Sequence, residues 1–137
     1  MIQESQLVQL VDAAIEARKA AYAPYSQFAV GAALLAQDGR VFTGCNVENS
    51  SYGLSVCAER IAVFKAVSEG VREFSAIAIV ADTKEPVSPC GACRQVLAEF
   101  SPNLMVIMSN LEKEQQLKSL SELLPYPFSG SDLPSDH

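Results

Sequence analysis

The sequence has little positive charge and no long apolar run, and each shortage excludes a class of protein. Its 137 residues carry 10 Lys and Arg against 16 Asp and Glu, a formal net charge of −6. Such a chain gains nothing from phosphate neutralisation, which argues against sequence-independent binding of nucleic acids. No stretch reaches the roughly 18 uninterrupted apolar residues of a membrane span. The first residues lack the basic start and apolar block of a secretory signal, so we expect a cytoplasmic protein.

The composition is that of one globular domain. Apolar residues make up 49% of the chain and charged residues 19%, which excludes disordered and coiled-coil compositions. There is no internal repeat, and we expect one domain over residues 1–137 with a loosely ordered tail from about 125. Four cysteines in a reducing compartment are more often ligands or core residues than disulfides.

Hydrophobic periodicity predicts an α/β fold. Two β-rich runs flank Asp38-Gly39, the signal of a hairpin, and Pro24 and Gly70 are expected to end the first two helices. The sequence FSAIAIVA is almost wholly apolar, as in a strand covered on both faces. Because helices alternate with the later strands, we expect a three-layer α/β/α sandwich on a mixed sheet of about five strands. The predicted helices are 5–21, 57–69, 90–100 and a turn at 121–124, and the predicted strands are 28–35, 41–47, 74–81, 104–108 and, at the edge, 112–119.

Two cysteine motifs open predicted helices. The segment 90–93, of sequence CGAC, by itself fits a redox pair, half of a metal site or two small buried residues. Cys57 opens an earlier helix, and two parallel crossover helices on one sheet face would place their N-termini side by side. Zinc with three protein ligands keeps its fourth position for water and lowers the pKa of that water to about 7. The three candidate ligands are Cys57, Cys90 and Cys93.

The residues after Cys57 suggest how such a site would work. Glu59 is too close to Cys57 for both to bind the metal comfortably, yet its carboxylate is near enough to carry protons between water and a substrate. Its alternative role is to stabilise the first turn of a helix. Arg60 is placed to offset the charge of three thiolates, with a solvated surface arginine as the alternative. We therefore predict Glu59 as the catalytic residue and Arg60 as a supporting cation.

The paired segments CAER at 57–60 and PCGACRQ at 89–95 closely resemble the zinc-dependent nucleoside deaminases. That family holds its metal with a His/Cys/Cys set or with three cysteines, and the only histidine here is His137, the final residue. The resemblance covers residues 22–128. It implies Zn²⁺ on three cysteines and hydrolytic deamination of cytidine and 2′-deoxycytidine to the uridine products, with loss of ammonia, in pyrimidine salvage. The acidic charge favours a free nucleoside over a polynucleotide as substrate.

The same resemblance assigns substrate-binding residues. Asn46 and Glu48 match the segment that binds the ribose hydroxyls, with turn capping as the alternative. Phe28 would pack on the pyrimidine ring, with an ordinary core position as the alternative, and the backbone N–H of Ala58 would contact the base carbonyl. Phe128, after the sequence LLP, resembles a C-terminal residue of the small homotetrameric cytidine deaminases. This implies a homotetramer in which the phenylalanine enters a neighbour's site.

Three other functions stay open on the sequence. A deaminase of a nucleoside antibiotic such as blasticidin S uses a similar zinc core, although the sugar-binding pair favours a plain ribose. A thiol–disulfide protein built on Cys90 and Cys93 would leave Cys57 unexplained. A structural zinc module needs four protein ligands, and Cys45, which we expect to be a small buried side chain, is spaced apart from the other three.

Overall fold

The computed structural model describes residues 2–134, and His137 lies outside them. Its helices are α1 (Glu4–Arg18), α2 (Ala58–Ser68), α3 (Gly91–Phe100) and α4 (Leu120–Leu123), and its strands are β1 (Val30–Ala36), β2 (Val41–Cys45), β3 (Phe74–Ala81), β4 (Met105–Asn110) and β5 (Gln115–Ser119). The strands form one sheet in the order β2-β1-β3-β4-β5, in which only β3 and β4 are parallel neighbours within the described residues. No helix between residues 2 and 134 has the length and apolar character needed to cross a bilayer.

Helices cover both faces of the sheet, which confirms the predicted three-layer α/β/α sandwich on a mixed sheet. On one face α1 buries Leu10, Val11 and Ala14, each at most 1% exposed, against side chains of β3 and its neighbours. On the other face α2 and α3 pack against Ile77 and Ile79. Full burial of a leucine, isoleucine or valine side chain contributes about 1.5–3 kcal/mol to stability. Because successive side chains of β3 point to opposite faces of the sheet, their burial stabilises both helical layers.

Most predicted elements are present, although several ends differ. β3 has the predicted bounds, Phe74–Ala81, and all of it except one residue is buried, which confirms a strand covered on both faces. The predicted hairpin joins β1 to β2 and turns at Gly39. Gly70 ends α2 as predicted, because it adopts a φ of +86° and lets the N–H of Val71 donate to the carbonyl of Ala66.

The first helix is shorter than predicted. α1 ends at Arg18, whereas periodicity and Pro24 placed its end at residue 21. The chain leaves the helix because Tyr22 pairs with the segment after β2. Its N–H donates to the carbonyl of Asn46 at 3.0 Å, and its carbonyl accepts from the N–H of Glu48 at 2.8 Å. This pairing places the residues after α1 beside the two predicted sugar-binding side chains.

A close approach between β2 and α2 sets the position of the N-terminus of α2. A Cβ on Gly44 would lie 2.7 Å from the backbone nitrogen of Ala62 and closer still to the carbonyl oxygen of Ala58. Only glycine permits the helix backbone to rest this closely on the strand. The first turn of α2, whose N-cap is Cys57, is thereby fixed relative to the sheet.

Candidate active site

Three cysteine sulfur atoms meet where the N-termini of α2 and α3 lie side by side. Cys57 and Cys90 are the N-cap residues of the two helices, and Cys93 lies in the first turn of α3. The Sγ atom of Cys90 is 4.0 Å from that of Cys57 and 3.5 Å from that of Cys93. All three sulfur atoms lie within 4.8 Å of one another. We call these three side chains the sulfur cluster.

The spacing of the sulfur cluster suits a zinc ion. Tetrahedral zinc with Zn–S bonds of about 2.3 Å separates its sulfur ligands by about 3.8 Å, close to the distances found here. Among residues 2–134, Cys45 is not part of the cluster, and it is half-buried at the end of β2 rather than buried as expected. Three protein ligands leave one position open, which is typical of a catalytic zinc site and not of a structural one.

Arg60 brings positive charge to the sulfur cluster. Its Nη2 donates to the Sγ of Cys57 at 3.4 Å, and its Nε is buried with no hydrogen-bond partner in the described part of the chain. A hydrogen bond from Cys93, helped by Arg60, lowers the pKa of the Cys57 thiol to about 5. The contact with Cys57 in turn raises the pKa of Cys93. Cys57 therefore favours the thiolate, the form of cysteine that binds metals.

Glu59 lies beside the sulfur cluster and is almost completely buried. Its side chain is 5% exposed and lines the same cavity as Cys57 and Cys90. Burial raises the pKa of its carboxyl, which brings proton exchange closer to neutral pH. A buried carboxyl beside three sulfur atoms fits proton transfer better than it fits support of an exposed helix turn.

One cavity of about 200 Å³ joins the sulfur cluster to the predicted sugar-binding residues. Its walls come from the segment before β1, the segment after β2, the start of α2 and the loop before α3. Ala58 opens α2, so its N–H has no partner inside the helix. Of the predicted site residues, Cys93, Arg60 and Phe128 do not line this cavity. Those that do are Phe28, Asn46, Glu48, Cys57, Ala58, Glu59 and Cys90.

Both predicted sugar-binding side chains also make hydrogen bonds within the chain. Asn46 donates through Nδ2 to the carbonyl of Phe28 at 2.7 Å and accepts through Oδ1 from the N–H of Val30 at 2.8 Å. Glu48 accepts from two backbone N–H groups and from the hydroxyl of Ser26. The hydrogen bond from Ser26 lowers the pKa of Glu48, so its carboxylate stays ionised. The two residues thus hold the loop before β1 and line the cavity at the same time.

The two predicted aromatic residues occupy different places. Phe28 lies in the loop before β1, because that strand begins at Val30 and not at residue 28. Its side chain is 41% exposed and faces the cavity, so it is not an ordinary core residue. The carbonyl of Phe128 accepts from Nε2 of Gln95 at 2.6 Å, while its side chain is 60% exposed. A place for Phe128 in a site therefore requires a neighbouring copy of the chain.

Some residues on the cavity wall were not among the predicted site residues. Val87 and Ser88 line the cavity just before Pro89, so their nearness to the CGAC segment was a usable signal. Ile79 lines it from the middle of β3, where nothing in the sequence distinguishes it from other apolar positions. Ser26 belongs to the segment YSQF, which shares in the resemblance to the deaminase family, but the sequence assigned a role only to Phe28 of that segment.

Comparison with known proteins identifies close relatives over most of the chain. The family model described as the cytidine and deoxycytidylate deaminase zinc-binding region matches residues 4–109. A cytidine deaminase of Sporosarcina psychrophila is 58% identical over 119 residues, which cover 86% of this chain and 88% of that protein. One from Mycobacterium tuberculosis H37Rv is 46% identical over 123 residues, 90% of each chain. The crystal structure of cytidine deaminase from Burkholderia pseudomallei superposes with a TM-score of 0.87 at 51% identity, covering 93% of this chain and 100% of that one.

Proposed function

The chain belongs to the cytidine and deoxycytidylate deaminase family, and we propose that the cavity beside its sulfur cluster is the active site for a free nucleoside. It is a zinc-dependent hydrolase that deaminates cytidine to uridine. We extend the substrate to 2′-deoxycytidine. The observation that supports this site best is a single cavity lined both by Glu59 and two cysteines of the cluster and by Asn46 and Glu48.

Glu59 is the proton carrier in this proposal. The sulfur cluster would hold the zinc ion, which would supply the Lewis acidity that makes water a nucleophile near neutral pH. Glu59 takes a proton from water and delivers it to N3 of the pyrimidine as the water oxygen bonds to C4. It then takes the remaining proton from that C4 hydroxyl and passes it to the amino group, so that the C4–N bond breaks and ammonia leaves. Because burial raises the pKa of Glu59, its carboxyl suits a role that alternates between accepting and releasing a proton.

Arg60 limits the negative charge of the site. Three thiolates and Zn²⁺ sum to one negative charge, which would weaken the Lewis acid. The guanidinium of Arg60 donates to the Sγ of Cys57, and the cluster lies at the N-termini of two helices, where the helix dipole is positive. These contributions offset the excess charge without adding a ligand.

The nucleoside is held at both its sugar and its base. Asn46 offers both a donor and an acceptor to the ribose hydroxyls, and the ionised Glu48 offers acceptors. Phe28 packs on the pyrimidine ring, and the N–H of Ala58, free in the first turn of α2, donates to the base carbonyl.

We further propose a homotetramer in which subunits share their sites. Phe128 does not line the cavity of its own chain. Tyr52, Leu54 and Phe64 are 75%, 67% and 50% exposed, and association would cover such large apolar side chains. Thiolate ligands need a reducing compartment, which supports a cytoplasmic enzyme that works in pyrimidine salvage.

We expect Phe128→Ala to raise the KM for cytidine about tenfold, because stacking of an aromatic side chain on a base contributes about 1–3 kcal/mol. The midpoint of thermal unfolding should barely move, since this side chain is 60% exposed in its own chain. Steady-state kinetics give the KM, thermal unfolding gives the midpoint, and sedimentation gives the oligomeric state. Tyr126→Ala is the matched control, because Tyr126 is a 96% exposed aromatic residue in the same segment. An unchanged KM in a stable tetramer would remove Phe128 from the site.

Ammonia release from defined substrates tests the proposed function. Cytidine, 2′-deoxycytidine and blasticidin S are compared with and without a strong chelator. We expect both nucleosides to be deaminated faster than blasticidin S, and the activity to disappear with the metal and return when Zn²⁺ is added. No ammonia from either nucleoside, or a clear preference for blasticidin S, would overturn the assignment.

A further inference from the structure

The hydroxyl of Ser26 bonds both to the carboxylate of Glu48 and to the backbone of Phe28, and we propose that Ser26 is a positioning residue for the substrate. The inference rests on the proposed function, because it concerns how Glu48 and Phe28 receive a nucleoside. Ser26 acts through these two neighbours: it fixes the direction of a carboxylate and the place of an aromatic side chain.

The Ser26 hydroxyl lies between the two substrate-binding residues. Its Oγ donates to Oε2 of Glu48 and accepts from the backbone N–H of Phe28 at 3.0 Å. A serine hydroxyl has one proton, so the bond to Glu48 uses its only donor and leaves its lone pairs for Phe28. One small side chain therefore orients both groups.

Glu48 is held by the same loop through its other oxygen. Its Oε1 accepts from the backbone N–H groups of Tyr25 at 3.0 Å and Ser26 at 3.1 Å. A carboxylate has about four lone-pair sites, so a sugar hydroxyl can still donate to Oε2 beside Ser26. Without the Ser26 hydroxyl, Oε2 would lose the contact that fixes its direction.

The backbone of Phe28 is held from both sides by side chains that line the cavity. Its carbonyl accepts from Nδ2 of Asn46, and its N–H donates to Ser26. Between Ser26 and Phe28, Gln27 has a φ of +61°, which lies in the left-handed region. Residues other than glycine rarely adopt this backbone conformation, and here the surrounding contacts hold it in place. Recognition of the ribose and packing on the ring are thereby coupled through this turn.

The coupling predicts an effect that depends on the sugar hydroxyls. Cytidine engages Glu48 through its ribose hydroxyls, whereas 2′,3′-dideoxycytidine has none to offer there. Loss of the Ser26 hydroxyl should therefore weaken binding of cytidine more than binding of the dideoxy compound. A general loosening of the loop would weaken both equally.

We expect Ser26→Ala to raise the KM for cytidine about tenfold and to change kcat less than about twofold. A rise of about tenfold is the lower end of the effect of losing a hydrogen bond to a charged group, as befits an exposed position. The inhibition constant of 2′,3′-dideoxycytidine is measured against cytidine. The factor by which it rises should be at least about threefold smaller than the factor by which the KM rises. Ser26→Thr keeps the hydroxyl and should restore the KM. Ser68→Ala, which removes an exposed hydroxyl at the end of α2, is the matched control and should behave as wild type.

A double-mutant cycle with Glu48→Gln completes the test. If Ser26 acts through Glu48, Ser26→Ala should raise the KM for cytidine by a much smaller factor in the Glu48→Gln background than in the wild-type enzyme. Equal losses for cytidine and the dideoxy compound, additive losses in the cycle, or no loss at all would overturn the positioning role. Turnover of cytidine by the wild-type enzyme is read in the same assay, so a failed inference is distinguished from a failed proposed function.

Discussion

Glu59→Gln is expected to abolish nearly all turnover while the fold and the zinc content stay intact. Glutamine has the shape of glutamate but cannot carry a proton, and general acid–base catalysis contributes about 10²–10⁴ in rate. Because we propose that Glu59 serves both proton transfers, we expect kcat to fall by about 10⁴. Steady-state kinetics, zinc content and thermal unfolding of the purified variant measure the three properties together.

Glu69→Gln is the matched control for this variant. Glu69 is the exposed C-cap residue of the same helix, so its replacement makes the same chemical change away from the cavity. We expect wild-type kcat from Glu69→Gln. Burial already disfavours the charged form of Glu59, so a neutral amide at residue 59 should not lower the unfolding midpoint. Near-normal turnover of Glu59→Gln with zinc bound would refute the acid–base role.

Replacement of any cysteine of the sulfur cluster is expected to remove zinc and activity together. Cys93 is fully buried, and Cys93→Ser exchanges a soft ligand for a weak one that stays protonated at neutral pH. We expect zinc to fall from about one to below about 0.1 per chain, and kcat/KM to fall at least about a thousandfold. Metal analysis and the cytidine assay on the same preparation measure both quantities.

Cys45→Ser separates a ligand effect from a general loss of thiols. Cys45 is the remaining cysteine of the chain and stands outside the sulfur cluster, so this variant should keep both its zinc and its turnover. A Cys93→Ser enzyme that retains full zinc and full turnover would contradict the ligand assignment. Loss of zinc from Cys45→Ser would contradict it as well.

The parts of the fold that were predicted correctly depend on local patterns. The apolar run of β3 and the glycine that ends α2 leave their mark within a few residues of sequence. The end of α1 was predicted wrongly because it depends on Tyr22, which pairs with Asn46 and Glu48 far along the chain. Hydrophobic periodicity carries no information about contacts between residues far apart in sequence. Such contacts determine where a helix ends, so helix ends are the least predictable positions.

The candidate site also has a part that could be predicted from local sequence and a part that could not. The cysteines and Glu59 occur in two short motifs, so their meeting at the helix N-termini could be predicted once crossover helices were expected. Asn46 and Glu48 both hold a loop by hydrogen bonds and line the cavity. This combination was not predictable, because their hydrogen-bond partners lie 16 to 23 residues away in the sequence. The role proposed for Ser26 depends on one neighbour, Phe28, and one distant partner, Glu48.

X-ray absorption at the zinc edge of the purified enzyme tests the central claim most directly, which is that three cysteines hold one zinc ion and leave a position open for water. We expect each zinc to have about three sulfur neighbours at about 2.3 Å and about one oxygen neighbour at about 2.0 Å. Addition of a chelator should remove that signal and the deamination of cytidine in parallel. Four sulfur neighbours, or an enzyme that deaminates cytidine with no zinc bound, would contradict the claim.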